Sequence, residues 1–221
     1  MAKVIGLIQV KGGAGRSTLA TNLAGELAKR GPTLLIDCDM PQGTAASWAA
    51  IRIGNPPPVQ GTRNLTVTTA GNHSELLAVI EAEQDRQEFI VLDGPPRIAE
   101  MTRAILLLSD LALIPIGASA AEVWATADML PIIEQARGIK ADLNPRIVWM
   151  RYRDYVRSAG EITGASRREL GLKALKTTLG FRVAYSDALA MGRTAAELPS
   201  RDGKAKEEVS SLMDEVTRLL R

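Results

Sequence analysis

The stretch Val10–Thr18, VKGGAGRST, decides the reading of this chain. It follows the apolar run VIGLIQV (4–10) and opens STLATNLAGELAKR (17–30), a segment of helical character. A strand that feeds a glycine-rich turn and then a helix N-terminus aims backbone N–H groups and the positive end of the helix dipole at one point, an arrangement that holds phosphate. The phosphate-loop pattern G-x-x-x-x-G-K-[ST] is broken twice, because Val10 stands where the first glycine should be and Arg16 replaces the lysine. A bare glycine-rich turn accounts for Gly12, Gly13 and Gly15. It gives no reason for Lys11 before them or for Arg16, Ser17 and Thr18 after them.

On either side of that loop the pattern is regular. TLLID (33–37), FIVLD (89–93), LALIPI (111–116) and RIVWM (146–150) are apolar throughout rather than alternating, as strands covered on both faces are, and LTVTT (65–69) is a weaker candidate. Helical segments such as SELLAVIEAEQ (74–84) and AEVWATADMLPIIEQAR (121–137) lie between them. The alternation implies an α/β fold, a doubly wound and mainly parallel sheet with helices on both faces. Such a sheet delivers its functional residues to the carboxyl ends of its strands. DCDMPQGTAASW (37–48) puts Asp37 and Asp39 at one strand end, and FIVLD ends in Asp93 before GPPR. An apolar strand ending in Asp commonly serves magnesium in phosphate-loop enzymes, whereas a lone Asp there is often a turn former. Three such segments in this order leave the turn-former reading little room.

Composition bounds the class. A chain of 221 residues, 46% hydrophobic and without a Pro/Gly/Ser-rich linker, is expected to form a single domain over 1–221. The one cysteine, Cys38, rules out an intrachain disulfide and suits a reducing cytosol. MAKVIGLIQV shows no signal-peptide cleavage site, and AILLLSDLALIPIGA (104–118) is broken by Ser109, Asp110 and Pro115, short of a membrane span. The net charge of +2 hides an asymmetry: residues 137–182 carry 11 Lys/Arg against 4 Asp/Glu. KEEVSSLMDEVTRLL (206–220) places Val209, Leu212, Met213, Val216, Leu219 and Leu220 on one stripe, and its acidic opposite face suits a docked helix rather than a membrane-surface one. His73 reads as a loop or capping residue, Cys38 as an inert buried thiol, and Trp48 and Trp124 as packing residues. No Cys/His cluster suggests a structural metal, and no serine–histidine arrangement suggests a hydrolase triad.

These motifs resemble those of the ParA/MinD family of deviant Walker A ATPases. KGGAGRST is similar to the family's KGGxGK[ST]T, DCDMPQGTAASW to its DxDPQGNAxxW segment, and FIVLDGPPR to its hhhDxPP segment. In that family a non-glycine at Val10 is ordinary and Lys11 is expected, so only Arg16 departs from the pattern. Length and loop position place the chain closest to the short plasmid-partition members, without the N-terminal helix-turn-helix extension of the longer ones.

The resemblance implies ATP and Mg2+ as cofactors and assigns roles by position. Lys11 would cross a nucleotide-sandwich homodimer to the partner's phosphates, and Gly12, Gly13, Ala14 and Gly15 would form the cradle. Arg16 would stand at the phosphate-binding lysine position, Ser17 would coordinate magnesium, and Thr18 would sit beside the α-phosphate. Asp39 would orient the attacking water, with Asp37 and Asp93 supporting the metal shell. Met150 and Arg151 occupy the adenine-contact positions but differ from the family's Asn or Thr followed by Arg. Arg16 keeps the charge with a larger planar fork, so a slow ATPase is expected.

A basic run usually marks a solvated helical face, yet the resemblance implies non-specific DNA binding through Arg153, Arg157, Arg167, Arg168, Lys173, Lys176 and Arg182. The implied protein is cytoplasmic and nucleoid-associated, works with a ParB-like or other cargo-adaptor protein, and partitions a plasmid or positions a protein assembly. Two alternatives stay open at this stage: a MinD-like membrane-associated division regulator, and a non-hydrolysing nucleotide-dependent DNA-binding scaffold.

Overall fold

The structure, a computed structural model, describes residues 1–57, 64–153, 157–199 and 203–221, without the side chains of 157–159 and 167. Strands and helices alternate: β1 (Lys3–Leu7), α1 (Arg16–Leu27), β2 (Thr33–Asp37), α2 (Thr44–Gly54), β3 (Leu65–Thr69), α3 (His73–Glu83), β4 (Phe89–Asp93) and α4 (Ala99–Leu108). They continue with β5 (Leu111–Gly117), α5 (Ala120–Ala127), α6 (Leu130–Arg137), β6 (Arg146–Tyr152), α7 (Arg157–Leu170), β7 (Lys173–Gly180), α8 (Val183–Ala190), a 3-10 turn (Ala195–Glu197) and α9 (Gly203–Leu219).

The seven strands form one sheet in the order β3-β2-β4-β1-β5-β6-β7, and every neighbouring pair is parallel. Strands of this kind are apolar throughout because side chains alternate between two buried faces. On β4, Phe89 and Val91 enter the layer built with Leu19, Leu23, Trp48 and Leu212, while Ile90 and Leu92 enter the layer built with Leu76, Ile105 and Ile133. Helix α1 thus leaves β1 toward one face, and α4 leaves the adjacent β4 toward the other. Divergence of two connections from neighbouring strands opens a crevice at their carboxyl ends. The glycine-rich loop and Asp93 meet there.

Four sequence expectations need correction. Strand β1 ends at Leu7 rather than Val10, although the Ile8 N–H still bonds the Leu113 carbonyl at 3.0 Å. The segment 121–137 is two helices, since Pro131 lies in the first turn of α6 and supplies no N–H to continue α5. Lys173–Gly180 is an edge strand, not a charged helical face. Its outer N–H groups are met by carboxylates of α9: Glu215 accepts from Lys176 at 2.8 Å and Thr177 at 2.9 Å, and Glu208 accepts from Gly180 at 3.1 Å. Helix α9 docks through Val209, Leu212, Met213, Val216 and Leu220 as expected, but Leu219 lies off the stripe and is exposed. Among the described residues no helix is long and apolar enough to cross a membrane.

Candidate functional site

The loop between β1 and α1 has the backbone that its glycines permit. Gly13 (φ +73°) and Gly15 (φ +96°) are left-handed, a region that glycine enters without steric cost. A side chain at Gly12 or Gly13 would meet nothing within 4 Å, so the loop faces open space. Helix α1 begins at Arg16 with no side-chain cap and no acidic residue in its first turn. Its leading N–H groups are therefore free to receive an anion. Residues Gly12–Thr18, with Asp39, Gln42, Thr44, Pro96 and Leu189, line a cavity of about 520 Å³. A second cavity of about 370 Å³ shares Gly13, Gly15 and Thr18 and is walled by Met150, Leu179, Phe181, Tyr185 and Leu189.

The three carboxylates play different parts. Asp37 is buried, and its two oxygens accept from Asp39 N (3.0 Å) and Ala46 N (2.9 Å), which stiffens the turn into α2. Asp93 is also fully buried, but neither of its oxygens has a hydrogen-bond partner. Burial pushes its pKa up to about 7; the Ser17 hydroxyl, short of full hydrogen-bond geometry, and the Arg16 charge act in the opposite sense, and Asp37 and Asp39 reinforce the rise. A buried carboxylate with no partner calls for a cation or a proton. Ser17 and Asp93 therefore fit a small hard cation such as Mg2+, and the cradle beside them fits its phosphates.

Arg16 is placed where its sequence position did not suggest. Its side chain is only 6% exposed and folds back beneath the loop, where Nη1 donates to the Gln9 carbonyl (2.6 Å) and the Lys11 carbonyl (3.0 Å). Nη2 lies 3.5 Å from Asp39 Oδ2, and Nε has no partner. Burial lowers the guanidinium pKa, and the charges of Asp93 and Asp39 oppose that shift. In this conformation Arg16 braces the loop, with its guanidinium committed to the two carbonyls and Asp39 where it borders the cavity.

Lys11 is half-exposed, 4.0 Å from Glu122. Met150 is buried against Gly15, where an added Cβ would come within 3.0 Å of its Cε. Arg151 reaches back to the loop, donating to the Gly13 carbonyl at 3.0 Å and to Glu122 at 2.7 Å. Glu122, Gln9 and Phe181 were missed in the sequence. Glu122 alone had a signal, the Ser-x-x-Glu spacing of Ser119 to Glu122 that marks a helix start. Gln9 is buried, donating to Pro115 O and Thr126 Oγ1, and Phe181 follows the unrecognised β7.

The basic candidates are spread over the segment after β6, helix α7, strand β7 and the start of α8. Arg153, Arg168, Lys173 and Lys176 are exposed, and Arg153 stacks over the Phe181 ring at 4.8 Å. Arg182 is bonded to Glu208 at 2.9 and 2.7 Å. Arg157 and Arg167 belong to α7, with side chains outside the described residues. Cys38 is a buried free thiol whose pKa burial pushes up. His73 opens α3, and Trp48 is core, but Trp124 is 63% exposed and is not a packing residue.

A parallel doubly wound sheet whose first strand feeds a glycine cradle, with a buried Asp on the adjoining strand, defines a P-loop nucleotide-binding protein. Residues 2–65 match the AAA domain family. The chromosome-partitioning ATPase Soj of Thermus thermophilus is 30% identical over 220 residues, covering 87% of each chain. Maintenance of carboxysome distribution protein A of Halothiobacillus neapolitanus is 26% identical over 222 residues, covering 97% of this chain and 96% of the relative. Among solved structures, an ATP complex of Cyanothece McdA superposes with a TM-score of 0.78 at 16% identity, covering 98% of this chain and 96% of that one. The cell division ATPase MinD of Pyrococcus furiosus does so with a TM-score of 0.73 at 20% identity, covering 99% and 100%. The chain belongs to the ParA/MinD family of ATPases, whose relatives here act in partition or positioning.

Proposed function

We propose that the chain binds ATP with magnesium, closes into a homodimer around two nucleotides, and holds DNA without sequence preference until hydrolysis, stimulated by a cargo adaptor, releases it. The observation that carries the reading is the uncapped start of α1 facing an open cavity, with the partnerless carboxylate of Asp93 behind Ser17. Backbone N–H groups of Gly12–Gly15 and the first turn of α1 hold the phosphates, and Thr18 flanks them. Ser17 and Asp93 hold magnesium, which neutralises charge on the phosphate oxygens. Asp37 keeps the β2–α2 turn in place so that Asp39 can orient water. The smaller cavity beside Met150, Leu179 and Phe181 is apolar enough for an adenine ring and lies on the same loop.

Lys11 is a half-exposed cation next to the cradle in sequence and reaches the phosphates of a second subunit. Arg153, Arg157, Arg167, Arg168, Lys173 and Lys176 neutralise DNA phosphates, with Arg182 secondary because Glu208 holds it. Nucleoid association follows from that binding. The cargo is a plasmid, a chromosome or a protein assembly; relatives named for chromosome partitioning and for carboxysome distribution support each kind. Light scattering with and without ATP and magnesium tests the reading. A nucleotide-dependent doubling of mass supports it, and a monomer at saturating ATP removes the sandwich.

A further inference from the structure

Glu122 lies in the first turn of α5, and its carboxylate joins three strand ends. Its Oε2 accepts from the Gly117 N–H at the end of β5 (2.6 Å), and its Oε1 accepts from Arg151 in β6 (2.7 Å). Arg151 in turn donates to the Gly13 carbonyl in the loop after β1 (3.0 Å). Lys11 Nζ is 4.0 Å from the same Oε1. Two further features fit this carboxylate to its place. A Cβ at Gly117 would lie 2.8 Å from Oε1, so a glycine is what lets the carboxylate come so near. Arg151 has φ +51°, a backbone that a non-glycine residue keeps where its surroundings fix it.

We propose that Glu122 is a positioning residue that fastens the phosphate loop, holding Arg151 so that Arg151 holds the Gly13 carbonyl. Because the peptide unit is planar, the Ala14 N–H points opposite to the Gly13 carbonyl. Fixing that carbonyl on Arg151 therefore fixes the direction of one donor in the cradle. This assignment rests on the nucleotide-binding reading for its consequence, while the brace itself is a property of the nucleotide-free fold. It also gives Arg151 a task other than contacting a base.

The test is a double-mutant cycle on the full chain with Glu122→Gln, Arg151→Ala and the double variant. Glutamine keeps an acceptor for the Gly117 N–H and removes the charge that holds Arg151, so the start of α5 is preserved. Titration with a fluorescent ATP analogue and magnesium should show each single variant weakened about fivefold, the upper range for a part-exposed ion pair. The double variant should be weakened by the same factor, because both changes break one chain of contacts. Hydrogen exchange of the peptide spanning residues 10–18, without nucleotide, should be faster in both single variants at an unchanged thermal midpoint. Additive losses of affinity, or loop exchange as slow as in the wild type, overturn the proposal. Failure of the wild type to bind the analogue defeats the nucleotide reading instead, and the exchange comparison still decides the brace.

Discussion

Arg16→Lys is the substitution with the most to say about catalysis. For the guanidinium to meet a phosphate in front of α1, it must leave the Gln9 and Lys11 carbonyls that it now binds at 2.6 and 3.0 Å. A buried acceptor left without a donor costs ~1–3 kcal/mol, so losing the Gln9 carbonyl bond alone opposes the move by about that much, before the part-buried Lys11 carbonyl and the 3.5 Å contact with Asp39 are counted. The arginine should therefore remain beneath the loop when nucleotide enters, and the cation that the family pattern supplies between the β- and γ-phosphates is missing in cis. Lysine has one ammonium on an unbranched stem and cannot hold both carbonyls and Asp39 with the same fork geometry. Freed toward the cavity, it should raise DNA- and partner-stimulated hydrolysis about tenfold, which needs only ~1.4 kcal/mol of barrier. Phosphate release at saturating ATP and magnesium measures this. A rate that stays the same or falls would mean that Arg16 is an adapted catalytic group and that the brace does not limit turnover.

Lys11→Ala should reduce the ATP-dependent mass increase in light scattering, and an undiminished dimer would show that no trans contact is made. Combined Arg167→Ala and Arg168→Ala should weaken DNA binding while dimerisation persists, and wild-type affinity should fall at least about tenfold from low to physiological salt. Sequence-dependent, salt-insensitive binding would contradict this. Glu197→Gln should cost about 3 kcal/mol, because it removes the charge that balances the buried Arg52 guanidinium, which Glu197 holds through two 2.8 Å bonds. The thermal midpoint should drop roughly 6–12 °C, and a drop under roughly 2 °C would discount the pair. Burial works to raise the pKa of Glu197 and of Glu215, but Arg52 and Thr194 for the first, and the Lys176 and Thr177 amides for the second, hold both below the ordinary carboxylate value. Their contribution is thus complete above the unfolded value of about 4.3 and is lost as pH falls through the lower folded values. Acid scans of the thermal midpoint should show a shallower loss in Glu197→Gln, and parallel curves would refute the assignment.

The sheet was legible because β2, β4 and β5 are buried on both faces, which forces unbroken apolar runs that sequence displays directly. Strand β7 was hidden by its edge position. Leu175 and Leu179 are its two fully buried residues, and a spacing of four suits one face of a strand as well as one face of a helix. The lysines between and before them point outward, and their charge favoured the helical reading, although Thr177 and Thr178 carried a β-branched signal. The loop, Asp37, Asp39 and Asp93 were legible because strand ends and glycines fix backbone positions. The fold-back of Arg16, the Glu122–Arg151 link and the wall at Phe181 were not, since each depends on side chains from separate elements finding the same point.

The carboxylates of Glu215 and Glu208 also limit what the sheet can join. Continuous growth of a stack by main-chain pairing needs an adhesive margin on each side of every copy. In this chain three donors of the β7 margin, at Lys176, Thr177 and Gly180, are occupied by carboxylates of α9. Strand addition is thereby opposed at one of the sheet's two margins, the other being β3. Helix α9 thus acts as a terminator, making fibre formation through the sheet conditional on its undocking.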